Sequence, residues 1–309
     1  MSDQEHYWGG ETRIIPVEDG EFTVVICKPS GSRYSGLTFV VGAANIPLSK
    51  YTSMKDTLIS MNNVVIGIYV NVLSIKQGIN HRKKAKNLKE IFDHVKAEFY
   101  VNEYNIVGHS IGAKIALLVA ALHDEDKTLN SVIAFDPVDQ TPAEFTKPSP
   151  KGKKVNETNL SLLHVHASIT MTVTESGFFI SKNHNARAIF KLNRSHSKID
   201  LISHRNAGHM AYCDDDEGGY SWKAVMAVGG SRGEVERNKE VRKHALDLIQ
   251  QHINGKVTLD ASLRTGKRIE SMKNGFKNSF KELKKDVKGA TSGTANKFMM
   301  KSVLNNITK

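Results

Sequence analysis

Residues 108–112 carry the sequence pattern of a reactive serine. Gly108-His109-Ser110-Ile111-Gly112 follows a short apolar run and precedes a helical pattern. A serine raised on a tight strand-to-helix turn needs small neighbours, which Gly108 and Gly112 supply. The pattern predicts that Ser110 is a nucleophile. It also predicts that the helix start offers the backbone N–H of Ile111 to an oxyanion.

A serine hydroxyl is a weak nucleophile at neutral pH and needs a base, usually a histidine held by an acid. His209 follows the last predicted strand, and Gly208 lets the backbone turn sharply in front of it. We therefore predict that His209 is the base. His204, at the exit of the same strand, is the alternative.

The predicted acid lies at the end of another strand. Asp136 directly follows the apolar run 131–135, where functional side chains of parallel sheets collect. Asp139 lies three residues further, and Glu175 is a third carboxylate later in the chain. The sequence favours Asp136 and leaves Asp139 and Glu175 as alternative acids.

A second oxyanion donor is expected in the turn after the third predicted strand. This turn reads Val41-Gly42-Ala43-Ala44-Asn45, and its small residues allow a substrate to approach the backbone closely. We predict that the backbone N–H of Ala43 is this donor.

The elements that must position these residues alternate between strands and helices. This alternation predicts an α/β fold with a mostly parallel central sheet and helices on both faces. An antiparallel hairpin with its turn at Asp19-Gly20 is expected to precede the sheet. A strand is predicted at 160–168, and residues 169–198 are predicted to form a polar surface excursion. The predicted strands are 13–17, 21–28, 37–41, 64–70, 104–107, 131–135, 160–168 and 199–203, and the predicted helices are 51–61, 83–100, 114–123 and 234–253.

The net charge of +11 is concentrated at the carboxyl end of the chain. Residues 264–309 hold twelve Lys/Arg and three Asp/Glu. Within this tail, apolar residues recur every three or four positions among lysines, which is typical of a basic amphipathic helix. We predict a catalytic domain at 1–257 and a tail at 258–309 that contacts an anionic membrane surface. The tail shows no recognised nucleic-acid-binding fold, so nucleic acid is not expected as a partner.

Three segments together resemble the chlorophyllase family of α/β-hydrolases. They are the Gly108–Gly112 segment, Phe135-Asp136-Pro137-Val138-Asp139 and the run Gly208-His209-Met210-Ala211-Tyr212. The similarity extends over roughly residues 20–254. The resemblance implies an α/β-hydrolase fold and serine-esterase chemistry with Ser110, Asp136 or Asp139, and His209. It also implies hydrolysis of chlorophyll to chlorophyllide and phytol.

The predicted function is therefore the hydrolysis of a hydrophobic carboxylic ester through an acyl-enzyme, without a metal or organic cofactor. A lipid acyl hydrolase, similar to lipases or to platelet-activating-factor acetylhydrolases, is the alternative. A further alternative is an inactive lipid-binding protein with the same fold. The expected location is intracellular with peripheral membrane association, in a plastid if the substrate is chlorophyll. The oligomeric state stays open.

Overall fold

The computed structural model describes most of the first 255 residues. The described residues are 8–18, 20–43, 46–70, 81–122, 128–138, 164–165, 168–176, 185–193, 195, 198–204, 206–214 and 233–255. The chain divides into two units, Met1–Leu259 and Asp260–Lys309. The whole second unit lies outside the described residues, so the predicted domain boundary at 257 and the amphipathic tail stay predictions.

In the described part of the chain, eight strands form one mostly parallel sheet. The order across the sheet is β1-β2-β4-β3-β5-β6-β7-β8. The first two strands form an antiparallel hairpin, β2 pairs antiparallel with β4, and the remaining neighbours are parallel. The strands are β1 Glu11–Val17, β2 Gly20–Cys27, β3 Gly36–Val41, β4 Asn63–Ile68, β5 Tyr104–His109, β6 Leu129–Phe135, β7 Thr170–Ser176 and β8 Ile199–His204.

Within the described residues, five helices accompany the sheet. They are α1 Thr52–Ser60, α2 His81–Phe99, α3 Ile111–Leu122, α4 Asn185–Leu192 and α5 Val235–Ile253, with short 3₁₀ helices at Leu48–Tyr51 and His209–Tyr212. Their apolar residues fall into two buried clusters. One cluster joins α2, α3 and α4 to residues such as Phe39 and Ile66, and the other joins α1 and α5 to Val40 and Val65. Neighbouring residues of β3 and β4 thus face opposite layers, which confirms a sheet covered on both faces.

The elements after β6 differ from the predicted ones. The strand predicted at 160–168 is wrong, because the described residues of that range, His164, Val165 and Ser168, lie outside any strand. The strand is instead Thr170–Ser176, inside the segment predicted as a surface excursion, which also contains α4. Alternating threonines made this strand look exposed. All of its residues after Thr170 are nevertheless buried, because threonine hydroxyls such as that of Thr174 find hydrogen-bond partners inside the fold.

Among the described residues, no helix has the length and apolar character needed to cross a membrane.

Candidate active site

The turn between β5 and α3 holds Ser110 in a backbone conformation that few side chains adopt. Its φ is 59°, and its N–H donates to the carbonyl of Phe135 at 3.0 Å. A Cβ at Gly108 would lie 2.5 Å from the carbonyl oxygen of Gly112, and a Cβ at Gly112 would lie 2.1 Å from that of Val41. Both positions therefore require glycine, since any side chain would force α3 away from the sheet.

An imidazole and a carboxylate meet beside this turn. Nδ1 of His209 lies 2.7 Å from Oδ2 of Asp136. Both residues are buried, at 3% and 4% exposure. A carboxylate only accepts hydrogen bonds, so Nδ1 carries the proton and leaves Nε2 to act as a base. The structure thus brings together His209 and Asp136, residues 73 positions apart in sequence.

The backbone ties the Asp136 loop to the serine turn. Asp136 has a φ of 46°, another conformation that is uncommon for a residue with a side chain. Its N–H donates to the carbonyl of Thr174 at 3.1 Å, while the N–H of Val138 donates to the carbonyl of Ser110 at 3.2 Å. The loop is therefore fixed on one side by β7 and on the other by the serine.

Ser176 holds the carboxylate of Asp136 from the neighbouring strand. Its N–H donates to Oδ1 at 3.1 Å and its hydroxyl donates to Oδ2. Burial alone raises the pKa of Asp136, but the hydrogen bonds from His209 and Ser176 outweigh that effect and hold the pKa below its ordinary value. Asp136 is therefore kept as the anion that a protonated His209 needs.

Ser176 was not among the predicted site residues, because the strand that carries it was predicted at 160–168. With β7 at Thr170–Ser176, Ser176 is the last residue of the strand that pairs with β6. The carboxyl ends of parallel neighbours lie at the same edge of a sheet, so correct strand bounds would have placed Ser176 beside Asp136.

The alternative acids and the alternative base either have other partners or lie outside the described residues. The carboxylate of Glu175 binds the guanidinium of Arg187 at 2.7 Å. His204 contacts the hydroxyl of Tyr212 through Nδ1 and His244 through Nε2, each at 2.9 Å. Burial, followed by the nearby His244, lowers the pKa of His204 to about 3. Asp139 lies outside the described residues.

The two predicted oxyanion donors differ in their surroundings. Ile111 is the first residue of α3, where backbone N–H groups have no acceptor within the helix. The N–H of Ala43, in contrast, donates to the hydroxyl of Tyr51 at 2.8 Å. An oxyanion would have to displace the Tyr51 hydroxyl from the N–H of Ala43. The role of Ala43 as the second oxyanion donor therefore stays a prediction, and the observed contact argues against it.

Within the described part of the chain, no group of three or more His, Cys, Asp or Glu residues is arranged to hold a metal ion.

Comparison with known proteins identifies the family. Residues 74–251 match the dienelactone hydrolase family. The structure resembles Est1E from Butyrivibrio proteoclasticus, with a TM-score of 0.52 and 11% identity over 78% of this chain and 100% of that chain. It also resembles a candidate dienelactone hydrolase from Klebsiella pneumoniae, with a TM-score of 0.50 and 12% identity over 78% of this chain and 98% of that one. No curated protein matches the sequence. These structural likenesses establish an α/β-hydrolase fold, and the chain belongs to the dienelactone hydrolase family.

Proposed function

We propose that this protein hydrolyses a carboxylic ester through an acyl-enzyme on Ser110. The observation that carries the proposal is the 2.7 Å contact between Nδ1 of His209 and Oδ2 of Asp136. The imidazole of His209 also lies next to that of His109, with ring centroids 4.8 Å apart. His109 directly precedes Ser110, so a base with its acid partner stands beside the strained serine turn.

In the first half of the reaction, Oγ of Ser110 attacks the ester carbonyl and passes its proton to Nε2 of His209. The carbonyl π electrons move to oxygen, and the N–H of Ile111 donates to the resulting oxyanion. The tetrahedral intermediate then collapses, the bond to the alcohol oxygen breaks, and Nε2 returns the proton to the leaving alkoxide. Asp136 stays ionised throughout and stabilises the imidazolium.

In the second half, water attacks the acyl-enzyme. Nε2 of His209 removes a proton from the water as its oxygen bonds to the carbonyl carbon, which gives a second tetrahedral intermediate. Its collapse breaks the bond between the carbonyl carbon and Oγ of Ser110, and Nε2 passes the proton to the leaving Oγ. The products are a carboxylic acid and the free serine. The chain's own side chains supply every proton transfer in this cycle.

We propose a hydrophobic ester as the substrate. The resemblance of the Asp136 and His209 segments to chlorophyllases supports the phytyl ester of chlorophyll. The basic amphipathic pattern of residues 264–309 supports an ester presented at an anionic membrane surface, for chlorophyll and equally for an acyl lipid. A lipid acyl ester is therefore the second candidate, and peripheral membrane association, in a plastid for chlorophyll, is part of the same proposal.

The test compares wild type with Ser110→Ala on three substrates, namely p-nitrophenyl butyrate, detergent-dispersed chlorophyll a and phosphatidylcholine vesicles. Chlorophyllide released only by wild type would support the pigment ester, and fatty acid released only by wild type would support the lipid ester. Turnover of the small ester alone would keep the esterase and reject both large substrates. Equal rates in wild type and variant, with no labelling of Ser110 by a fluorophosphonate, would overturn the proposal in favour of an inactive lipid-binding protein.

A further inference from the structure

His109, the residue before the proposed nucleophile, joins three loops of the candidate site. Its Nε2 lies 2.8 Å from the carbonyl oxygen of His209. Its Nδ1 lies 2.9 Å from the hydroxyl of Tyr51, which accepts the N–H of Ala43 at 2.8 Å. The side chain is buried, at 1% exposure. One imidazole thus connects the loop after β3, the serine turn and the loop that carries His209.

The two ends of this chain of hydrogen bonds fix its direction. The carbonyl oxygen of His209 can only accept, so Nε2 of His109 carries the hydrogen. Nδ1 is then an acceptor, and it faces two groups that can donate to it, the hydroxyl of Tyr51 at 2.9 Å and the thiol of Cys213 at 3.4 Å. Burial, and then the nearby His209, lower the pKa of His109 to about 3, so the ring is neutral at physiological pH. His109 therefore exists as the Nε2–H tautomer.

This tautomer fixes the backbone of His209 while Asp136 fixes its side chain. His209 begins the 3₁₀ helix His209–Tyr212. An element this short has few internal hydrogen bonds, so its position depends on contacts with the rest of the fold. The hydrogen bond from His109 attaches the carbonyl of His209 directly to the strand that ends in the serine turn. A base anchored at both its carbonyl and its Nδ1 has a defined position relative to Ser110.

We propose that His109 is a positioning residue, whose Nε2–H holds the backbone of His209 in register with the nucleophile turn. The inference rests on the proposed esterase function, because it concerns the placing of the base in that reaction. The side chain of His109 is 1% exposed, which leaves it almost no surface for a substrate. Its effect passes through His209, and loss of the bond displaces the base.

Two amide substitutions separate this role from simple packing. The amide nitrogen of glutamine reaches the place of imidazole Nε2, whereas that of asparagine reaches only the place of Nδ1. His109→Gln therefore keeps the donor to His209, and His109→Asn removes it. We expect His109→Asn to lower kcat by roughly 10- to 100-fold with an unchanged KM, because small displacements of a catalytic group have effects of that size. His109→Gln restores most of the rate.

A buried histidine elsewhere provides the matched control. His252 is 2% exposed and contacts the hydroxyl of Thr172 through Nε2 at 2.8 Å. It lies in the last turn of α5, and His252→Asn removes that contact with the same change in side-chain volume. We expect this control to lower the melting temperature and to leave kcat unchanged. All variants are assayed with p-nitrophenyl butyrate well below their melting temperatures.

The outcomes distinguish the inference from the proposed function. Wild type without any Ser110-dependent turnover overturns both. An active wild type, together with a His109→Asn variant whose kcat equals that of His252→Asn, overturns only the role of His109. In wild type, ¹H–¹⁵N spectra of labelled histidine report the tautomer of His109. This measurement does not require any variant to fold. The Nε2–H tautomer supports the inference, and a protonated or Nδ1–H ring at neutral pH overturns it.

Discussion

Ser176 donates to both carboxylate oxygens of Asp136, from its N–H at 3.1 Å to Oδ1 and from its hydroxyl to Oδ2. Asp136 directly follows β6 and Ser176 is the last residue of β7, and these two strands are parallel neighbours. Oδ2 also accepts from His209 at 2.7 Å, so one oxygen receives hydrogen bonds from both the proposed base and the Ser176 hydroxyl. The orientation of the carboxylate is thus set by β7 as well as by the histidine.

We expect Ser176→Ala to make the stability of the fold depend less on the charge of Asp136. The pKa of Asp136 lies below its ordinary value, so its ionisation stabilises the fold above the unfolded-state pKa, and this stability is lost as pH falls through the folded-state pKa. Removing the Ser176 hydroxyl raises the folded-state pKa. The difference in melting temperature between wild type and variant should therefore be largest near pH 7 and shrink as pH falls through the folded-state pKa values of Asp136 in the two proteins.

The control for this prediction is another buried serine. The hydroxyl of Ser131 donates to the side-chain oxygen of Asn105 at 2.8 Å, at the start of β6. Neither group titrates, so Ser131→Ala should lower the melting temperature by the same amount at every pH. A pH-independent difference for Ser176→Ala as well would contradict the assignment of its hydroxyl to the Asp136 anion.

Activity should identify the acid of the site. Asp136→Asn replaces the acceptor of the His209 Nδ1–H by an amide, and we expect kcat to fall by about 10³- to 10⁴-fold, as when the acid of a catalytic triad is lost. Glu175→Gln should keep its kcat, because Glu175 binds Arg187 at 2.7 Å instead. It should lower the free energy of unfolding by about 1–3 kcal/mol, since the Arg187 charge is left without its partner.

Steady-state kinetics and urea unfolding of the two variants check these expectations together. A large loss of kcat in Glu175→Gln, with Asp136→Asn near wild type, would transfer the role of acid to Glu175. Asp139→Asn completes the series, and a loss confined to that variant would identify Asp139 instead.

The contact between Tyr51 and Ala43 yields a test of the second oxyanion donor. Tyr51→Phe leaves the buried N–H of Ala43 without its acceptor, and we expect the free energy of unfolding to fall by about 1–3 kcal/mol. Tyr51 is 1% exposed, so its hydroxyl lies inside the fold rather than toward substrate. We therefore expect kcat not to rise. A rise in kcat would mean that Tyr51 competes with an oxyanion for Ala43. Tyr100→Phe, at 89% exposure, is the control for losing a phenol hydroxyl.

Elements with a clear apolar pattern could be predicted from the sequence. The strands around Phe39 and Ile66 are buried on both faces, and such strands appear as continuous apolar runs. β7 could not be found in this way. Thr172 pairs with His252 and Thr174 with Tyr212, partners 80 and 38 positions away. A buried threonine with a distant partner has the same local pattern as an exposed one.

The same distinction applies to the candidate site. Ser110 and Asp136 each lie where a strand ends, and a local pattern was enough to select them as candidates. Ser176 and Tyr51 were not selected, because their importance comes only from contacts with Asp136 and His109. Such contacts join residues far apart in the chain, and they depend on strand order, which a single sequence does not specify.

The charge and apolar pattern of residues 264–309 predict binding to anionic membranes. Apolar residues of this tail form a stripe: Ile269, Met272, Phe276, Phe280, Leu283 and Val287. Such a stripe lies in the interface between head groups and acyl chains, while each lysine near the surface adds about 1 kcal/mol of attraction to anionic lipid. Binding should therefore require anionic lipid and weaken with salt.

We expect a full-length variant with three tail lysines changed to glutamine to bind phosphatidylserine-containing vesicles about 100-fold more weakly than wild type, since about 3 kcal/mol of attraction is lost. The changed residues are Lys273, Lys277 and Lys284. A matched control changes three exposed lysines outside the tail: Lys86, Lys191 and Lys243. Vesicle co-sedimentation measures both variants beside wild type. Equal binding by all three proteins, or equal binding to purely zwitterionic vesicles, would contradict membrane contact by the tail and would leave the lysines as solvated charges.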